Sequence, residues 1–219
     1  MLRNFIFPVS LALVLGVSAA KADTVSLDGT TAGTYTFNGT TYNLSPYGGT
    51  LNGQSVQFIC VDQSSHVPAQ SSWDVTTVAV DSGPFSGTVQ GNQMAYQEMA
   101  YLASQMLDAL ANGQVGVATA YQFAIWSFTG GPDPFAASNP AYDNASLIAQ
   151  AQNEVQGGLF SDAGWEVVTP LPGQTGQEML VQTTEPSNLL LLVCGMIVTS
   201  GLFRNRKRCA EPHLFDSLR

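Results

Sequence analysis

Every lysine and arginine of this chain lies near one of its two ends, and none lies between residues 22 and 203. The region 23–184 carries thirteen aspartates and glutamates, so its formal charge is −13, against −9 for the whole chain. A segment this acidic is repelled by phosphate backbones, which excludes nucleic acid as a partner. It cannot form internal lysine or arginine salt bridges, so its solubility must rest on carboxylates and on many Ser, Thr, Asn, Gln and Gly residues.

Residues 1–22 have the three parts of a secretory signal peptide. Arg3 supplies a positive charge, a short apolar run follows, and Ala20 and Ala22 occupy the two positions that a signal peptidase recognises. We therefore expect cleavage before Asp23 by signal peptidase and export of the chain that follows. The alternative is an uncleaved membrane anchor, but the short apolar core and the small residues at the cleavage site favour a signal peptide.

Residues 184–208 form a second pattern of three parts, in which a polar turn is followed by an apolar run and a basic cluster. The turn contains Glu185 and Pro186, and the apolar run covers residues 189–203. We expect this run to form a transmembrane helix in the inner membrane, with the basic cluster as its cytoplasmic stop. The cluster consists of Arg204, Arg206, Lys207 and Arg208.

The order of these parts resembles the PEP-CTERM sorting signal of bacterial exported proteins. The chain differs from that family at Thr184, where the family has a proline, and it continues beyond the basic cluster through residues 209–219, an expected cytoplasmic tail. The resemblance implies that the tail holds the protein in the inner membrane until an exosortase-like protease removes it. It also implies a final location at the cell surface or in the extracellular matrix.

The remaining region, 23–183, has a length that suits one domain, and its first part is rich in predicted strands. Short β-branched and aromatic runs are separated by pairs of residues that favour hairpin turns. These pairs are Asn38-Gly39, Gly48-Gly49 and Asn52-Gly53.

The apolar period then changes to one typical of helices. Spacings of three and four predict an amphipathic helix over 93–110, and a nearly continuous apolar run predicts a buried helix over 117–128. A weaker helix over 145–155 and a hairpin around Pro172-Gly173 follow. This order predicts an α+β fold with a strand-rich amino-terminal part, a central helical pair and a carboxyl-terminal hairpin.

Cys60 is the only cysteine of the exported region, because Cys194 and Cys209 lie within and beyond the apolar tail. No disulfide can form within that region, although the compartment would allow one. Cys60 lies in a predicted strand, in the run Phe-Ile-Cys-Val-Asp. Gln122 and Trp126 lie four residues apart in the predicted buried helix and therefore share one helix face.

These two motifs together resemble the Cys–Gln thioester domains of bacterial surface adhesins. That family has an apolar-Cys-apolar-Asn/Asp motif on a strand and a downstream apolar-Gln motif ending in Ile-Trp on a helix. The resemblance implies that the Cys60 sulfur condenses with the Gln122 side-chain amide, with loss of ammonia, and that Asp62 and Trp126 support the bond. It also implies a partner that bears an amine or a hydroxyl at a surface.

Each of these residues has a plain structural interpretation as well. A buried cysteine is often only a small apolar residue, and a helix glutamine is often a hydrogen-bonded core group. Trp126 belongs to the core in either case, and Asp62 either positions the cysteine strand or caps a turn. These alternatives stay open at the level of sequence.

Other site chemistries find less support in the sequence. The carboxylate spacing matches no EF-hand loop, and His66, the one histidine of the exported region, cannot form a zinc cluster, so we expect no metal site and no other cofactor. A structural calcium, which the acidic balance would attract, stays open as the alternative. With one histidine and no Gly-x-Ser-x-Gly motif, serine hydrolase chemistry is unsupported. A pair of catalytic carboxylates, as in a glycosidase, stays open because no particular pair is marked.

The sequence therefore supports three functions in descending order. The first is an exported, non-enzymatic surface or matrix protein that attaches covalently to a partner through a Cys60–Gln122 thioester. The second is a non-covalent structural or binding module without the thioester, and the third is a hydrolase of envelope polysaccharide. The intact mass of the exported domain separates the first two.

Overall fold

The computed structural model describes residues 22–68 and 70–183. The signal peptide, except its last residue, and the sorting tail with its membrane segment, basic cluster and cytoplasmic extension lie outside these residues. Within the described part of the chain, no helix combines the length and the apolar character needed to cross a membrane.

Within residues 22–68 and 70–183, eight strands and three helices follow one another in an order that confirms a mixed α+β fold. Six strands precede the helices and two come after them. In chain order the strands are β1 Asp23–Leu27, β2 Gly33–Phe37, β3 Thr40–Leu44, β4 Tyr47–Leu51, β5 Gln54–Cys60, β6 Ser72–Ala79, β7 Trp165–Pro170 and β8 Met179–Gln182.

Six of the strands form a closed antiparallel barrel in the order β1-β4-β5-β8-β7-β6, with β6 pairing back to β1. The other two, β2 and β3, form a separate hairpin whose turn residues Asn38 and Gly39 both have positive φ. Asn52 and Gly53 make the same kind of turn between β4 and β5. Both Asn-Gly turn predictions are therefore confirmed.

The predicted turn at Gly48-Gly49 is wrong, because both glycines lie inside β4. Gly49 pairs with Leu27 of β1, and a Cβ added at Gly49 would collide with the carbonyl oxygen of Ser26. A Cβ at Gly48 would likewise collide with the Thr30 side chain. These glycines permit close approach of neighbouring chain segments within a sheet, which is the other common reason for glycine in a strand.

The three helices pack against one another on one side of the barrel: α1 Gln93–Ala111, α2 Val115–Ser127 and α3 Asn144–Gln156. The side chain of Asn92 caps α1 by accepting from the backbone N–H of Met94 at 3.0 Å, and Gly113 follows its end with a φ of +70°. In α2 the nine residues from Ala118 to Trp126 are all buried, as the continuous apolar run predicts.

Alternation along the strands divides the core into two parts. On β5, Phe58 belongs to an apolar cluster of barrel residues, whereas Ile59 faces the helices. The barrel cluster consists of Val25, Leu27, Leu51, Phe58, Trp73, Val75, Val168, Met179 and Val181. Cys60 ends β5 in a third, smaller cluster, which it shares with residues of α2.

Candidate functional site

Cys60 and Gln122 are 62 positions apart in sequence and lie side by side in the fold. The Gln122 Nε2 donates a hydrogen bond to the backbone carbonyl oxygen of Cys60 at 3.0 Å. Both residues have no measurable exposure to solvent. The end of β5 and the middle of α2 thus bring the two side chains named by the motif resemblance into one buried site.

Ser45 completes the polar contacts of this pair. Its backbone N–H donates to Gln122 Oε1 at 3.2 Å, and its hydroxyl oxygen accepts from the Cys60 backbone N–H at 2.9 Å. Ser45 lies between β3 and β4 and is itself buried. The Gln122 carboxamide is therefore held at both ends, by Ser45 on one side and by Cys60 on the other.

The Cys60 thiol lies between the indole of Trp126 and the backbone of Asp62. Trp126 Nε1 donates to Sγ at 3.4 Å, and Sγ lies 3.5 Å from the carbonyl oxygen of Asp62. Burial raises the pKa of Cys60 to about 12, while the hydrogen bond from Trp126 opposes that rise. The free thiol is therefore protonated at neutral pH, and Trp126 is the group that would stabilise negative charge on sulfur.

Asp62 caps the turn that follows β5. Its carboxylate accepts from the backbone N–H of Ser64 at 3.0 Å and from the hydroxyls of Ser64 and Ser65. Its backbone carbonyl accepts from Gln177 Nε2 at 2.8 Å. The Asp62 carboxylate therefore caps the turn, while its backbone carbonyl lies beside the thiol.

Aromatic rings surround the site on the side of the β2–β3 hairpin. Tyr42 lies with its ring centroid 5.3 Å from that of Phe123 and 5.8 Å from that of Trp126. The ring centroid of Tyr35 lies 5.5 Å from that of Phe123 and 6.0 Å from that of Phe135. The hairpin thus covers the buried Cys60–Gln122 pair with rings that exclude water.

A cavity of about 200 Å³ opens beside this cover, between the β2–β3 hairpin and the loop 63–68. Trp126 forms part of its wall, together with Tyr42, Tyr47 and His66. His66 is exposed, so the cavity communicates with the surface. Trp126 therefore both lines the cavity and donates a hydrogen bond to the Cys60 thiol.

The motifs did not identify Ser45, Tyr42 or Gln177 as parts of the site. A Ser-Pro pair directly after a strand was the available signal for Ser45, but it does not say which side chain the serine contacts. Among the residues that the structure describes, no group of three or more His, Cys, Asp and Glu side chains is placed to hold a metal ion. The sorting residues Glu185 and Pro186 and the basic cluster lie outside those residues.

Comparison of the chain with protein-family models, with curated proteins and with solved structures finds no match.

Proposed function

We propose that this is an exported bacterial surface or matrix protein whose domain forms an internal thioester between Cys60 and Gln122 and uses it to attach to a partner. The observation that supports this most is the buried Gln122 carboxamide, which is fixed by hydrogen bonds to the backbone carbonyl oxygen of Cys60 at 3.0 Å and to the backbone N–H of Ser45 at 3.2 Å. A reaction between two side chains needs this kind of fixed, dry arrangement.

The chemistry of bond formation balances within the chain. The Cys60 sulfur attacks the carboxamide carbon of Gln122, the C–N bond breaks, and the thiol proton leaves with nitrogen as ammonia. Negative charge develops on Gln122 Oε1, which already accepts the Ser45 N–H, as an oxyanion would. Trp126 Nε1–H supports the sulfur, although burial disfavours its thiolate form.

The partner would then open the bond. An amine or hydroxyl attacks the thioester carbon, the C–S bond breaks, and the proton of the nucleophile passes to the Cys60 sulfur. The product is an amide or ester at the former Gln122 side chain and a free thiol. Since the described region contains no lysine, no ε-amine of the domain itself competes with the partner.

Export and sorting rest on the two terminal patterns. A signal peptide ending at Ala22 and an apolar run followed by four basic residues are typical of a protein that leaves the cytoplasm and is held for a time in the inner membrane. The proposed partners during transit are signal peptidase and an exosortase-like protease.

A non-covalent module with the same fold is the second candidate. The Gln122 carboxamide has hydrogen bonds at both of its ends, so the same arrangement also serves as a satisfied polar group in the core. In that case Cys60 keeps its thiol and the domain binds without a covalent bond.

Intact mass of the protein recovered from the cell exterior tests these proposals together. We expect a chain that begins at Asp23 and weighs one ammonia less than its sequence. Incubation with methylamine should add one methylamine and release a thiol that titrates after denaturation. Thiol reactivity of the native protein does not discriminate, because burial alone makes the thiol unreactive.

Cys60→Ala is the matched control, since it should have its full sequence mass and take up no methylamine. A full sequence mass in the wild-type protein, with a thiol that titrates after denaturation alone, contradicts the thioester and leaves the non-covalent module. A chain that still carries residues 1–22 contradicts the signal peptide.

A further inference from the structure

The cavity beside Trp126 differs in chemistry from the rest of the domain. All thirteen carboxylates of region 23–184 lie in described residues, yet no aspartate or glutamate lines this cavity. The carboxylates that neighbour lining residues in sequence include Asp62, which is buried and accepts from Ser64 and Ser65, and Asp28, which is exposed and accepts from Thr30. A strongly acidic domain thus has a cavity with no carboxylate in its wall next to its proposed reactive bond.

The cavity wall combines aromatic rings with amide side chains. Tyr42, Tyr47 and Trp126 supply the rings, and Asn43 and Gln63 each supply a donor and an acceptor. The Tyr42 and Trp126 rings lie 5.8 Å apart and are tilted by 42°. Flat apolar surfaces beside convergent neutral hydrogen-bonding groups suit a ligand that has both C–H faces and hydroxyls.

Two of the wall groups are already fixed by the fold. Tyr47 donates its hydroxyl to the backbone carbonyl of Asn43 at 3.0 Å, and Gln177 donates to the carbonyls of Asp62 and Ser65. These bonds hold the wall in place before a ligand arrives. A preformed wall reduces the entropy lost on binding.

The absence of carboxylates from the cavity wall and the volume of the cavity limit the class of ligand that it can bind. An ammonium group entering this cavity would lose hydration with no carboxylate in the wall to replace it, whereas a hydroxyl finds neutral partners. The cavity volume of about 200 Å³ lies below the roughly 300–1,000 Å³ that is typical of ligand pockets. This is space for one ring with its substituents and not for a folded peptide segment.

We infer that this cavity binds a single neutral, polyhydroxylated ring, such as one sugar unit of an uncharged glycan. The inference deepens the proposed function. It rests on that function for one consequence, namely that the partner presents a hydroxyl and not an amine to the thioester as its nucleophile. In that step the hydroxyl oxygen bonds to the Gln122 carbonyl carbon, the C–S bond breaks, and the hydroxyl proton passes to the Cys60 sulfur. The product is an ester.

Binding is tested first in a protein that cannot form the thioester. Gln122→Met is titrated with cellotriose, maltotriose and mannotriose, and binding is followed by tryptophan fluorescence, since Trp126 lines the cavity. We expect at least one neutral trisaccharide to bind and the glucosamine trisaccharide, which carries ammonium groups, to bind at least tenfold more weakly than cellotriose. Failure of all three neutral sugars, or tighter binding of the amino sugar, overturns the inference.

Variants at the wall locate the bound sugar. Asn43→Ala and Gln63→Ala in the Gln122→Met background should each weaken binding at least fivefold, while Thr34→Ala, at an exposed hairpin position outside the cavity wall, should leave it unchanged. Equal affinities in all three variants place the sugar elsewhere and overturn the inference.

The wild-type protein separates failure of this inference from failure of the proposed function. A mass deficit of one ammonia together with no sugar binding by Gln122→Met means that the thioester stands and the cavity assignment falls. Sugar binding by Gln122→Met together with a full wild-type mass means that the cavity assignment stands and the thioester falls.

Discussion

The inside of the barrel and the seam beneath the β2–β3 hairpin, which is the cluster of Leu44, Cys60, Phe123 and Trp126, are both buried. They differ in the kinds of side chain that they contain. The barrel cluster around Phe58 consists of apolar side chains, with Trp73 as its one member that carries a polar atom. The seam around Cys60 adds Ser45 and Gln122 to its aromatic rings, and hydrogen bonds join all three of these residues. Burial in the barrel serves stability, whereas burial in the seam also fixes the Gln122 carboxamide against the backbone of Cys60 and Ser45.

The difference follows from position along β5. Phe58 and Cys60 are two residues apart and therefore face the same side of the strand. Phe58 pairs with Val181 of β8 and is enclosed by the other strands, whereas Cys60 is the last residue of β5 and is covered by α2 and the hairpin. The barrel thus holds the end of β5 in place, and the α2 residue Gln122 is aligned against that strand end.

The largest expected effect is on the barrel side. Phe58→Ala removes a fully buried ring from the apolar cluster and should lower the free energy of unfolding by about 3–5 kcal/mol. Urea unfolding followed by circular dichroism measures it. Leu159→Ala, at a side chain that is 75% exposed, is the control and should change stability by less than about 0.5 kcal/mol. Similar losses for both variants would show that Phe58 is not enclosed by the barrel.

The second-largest expected loss of stability comes from a substitution in the seam, at Gln122. Gln122→Met keeps the length of the side chain but leaves the Ser45 N–H and the Cys60 carbonyl without their partner. Each orphaned buried group costs about 1–3 kcal/mol, and at the lower end of that range the two groups together give an expected loss of about 2 kcal/mol in the free energy of unfolding. Gln156→Met, at an exposed position of α3, is the matched control and should be nearly neutral.

A double variant separates the hydrogen bonds from the thioester. If the loss caused by Gln122→Met comes from unpaired backbone groups, it should persist when measured in a Cys60→Ala background, where no thioester can form. If the loss disappears in that background, the cross-link and not the hydrogen bonds accounts for it.

The sequence predicted the elements better than their contacts. The apolar period located α2, and the motif resemblance paired Cys60 with Gln122, whose side chain donates to the Cys60 backbone carbonyl in the fold, while the bond between the two side chains stays a prediction. Ser45 was missed because its role depends on a contact with a helix 77 positions away, which leaves no local pattern. Gly48 was misassigned because glycine favours both turns and close strand contacts, and only the barrel distinguishes them.

The smallest expected loss of stability at neutral pH comes from removing the Cys60 sulfur. The pH dependence of that loss distinguishes a thiol from a thioester. Cys60→Ala removes one buried atom, so it should cost about 1 kcal/mol in the Gln122→Met background, where the thiol is free. Burial raises the pKa of that thiol from 9.0 to about 12 in the folded state. Above pH 9 the unfolded chain therefore loses the proton while the folded chain keeps it, and the stability associated with the protonated thiol falls as pH rises toward 12.

Between pH 7 and pH 10, Gln122→Met should consequently lose about 1 kcal/mol more stability than Gln122→Met/Cys60→Ala. Urea unfolding at the two pH values measures it, and an unchanged difference would show that the Cys60 thiol is not buried. Wild-type protein with an intact thioester has no thiol to titrate, so its stability relative to Cys60→Ala should stay constant over the same interval. The seam then behaves like the apolar barrel in its response to pH only when its sulfur is acylated.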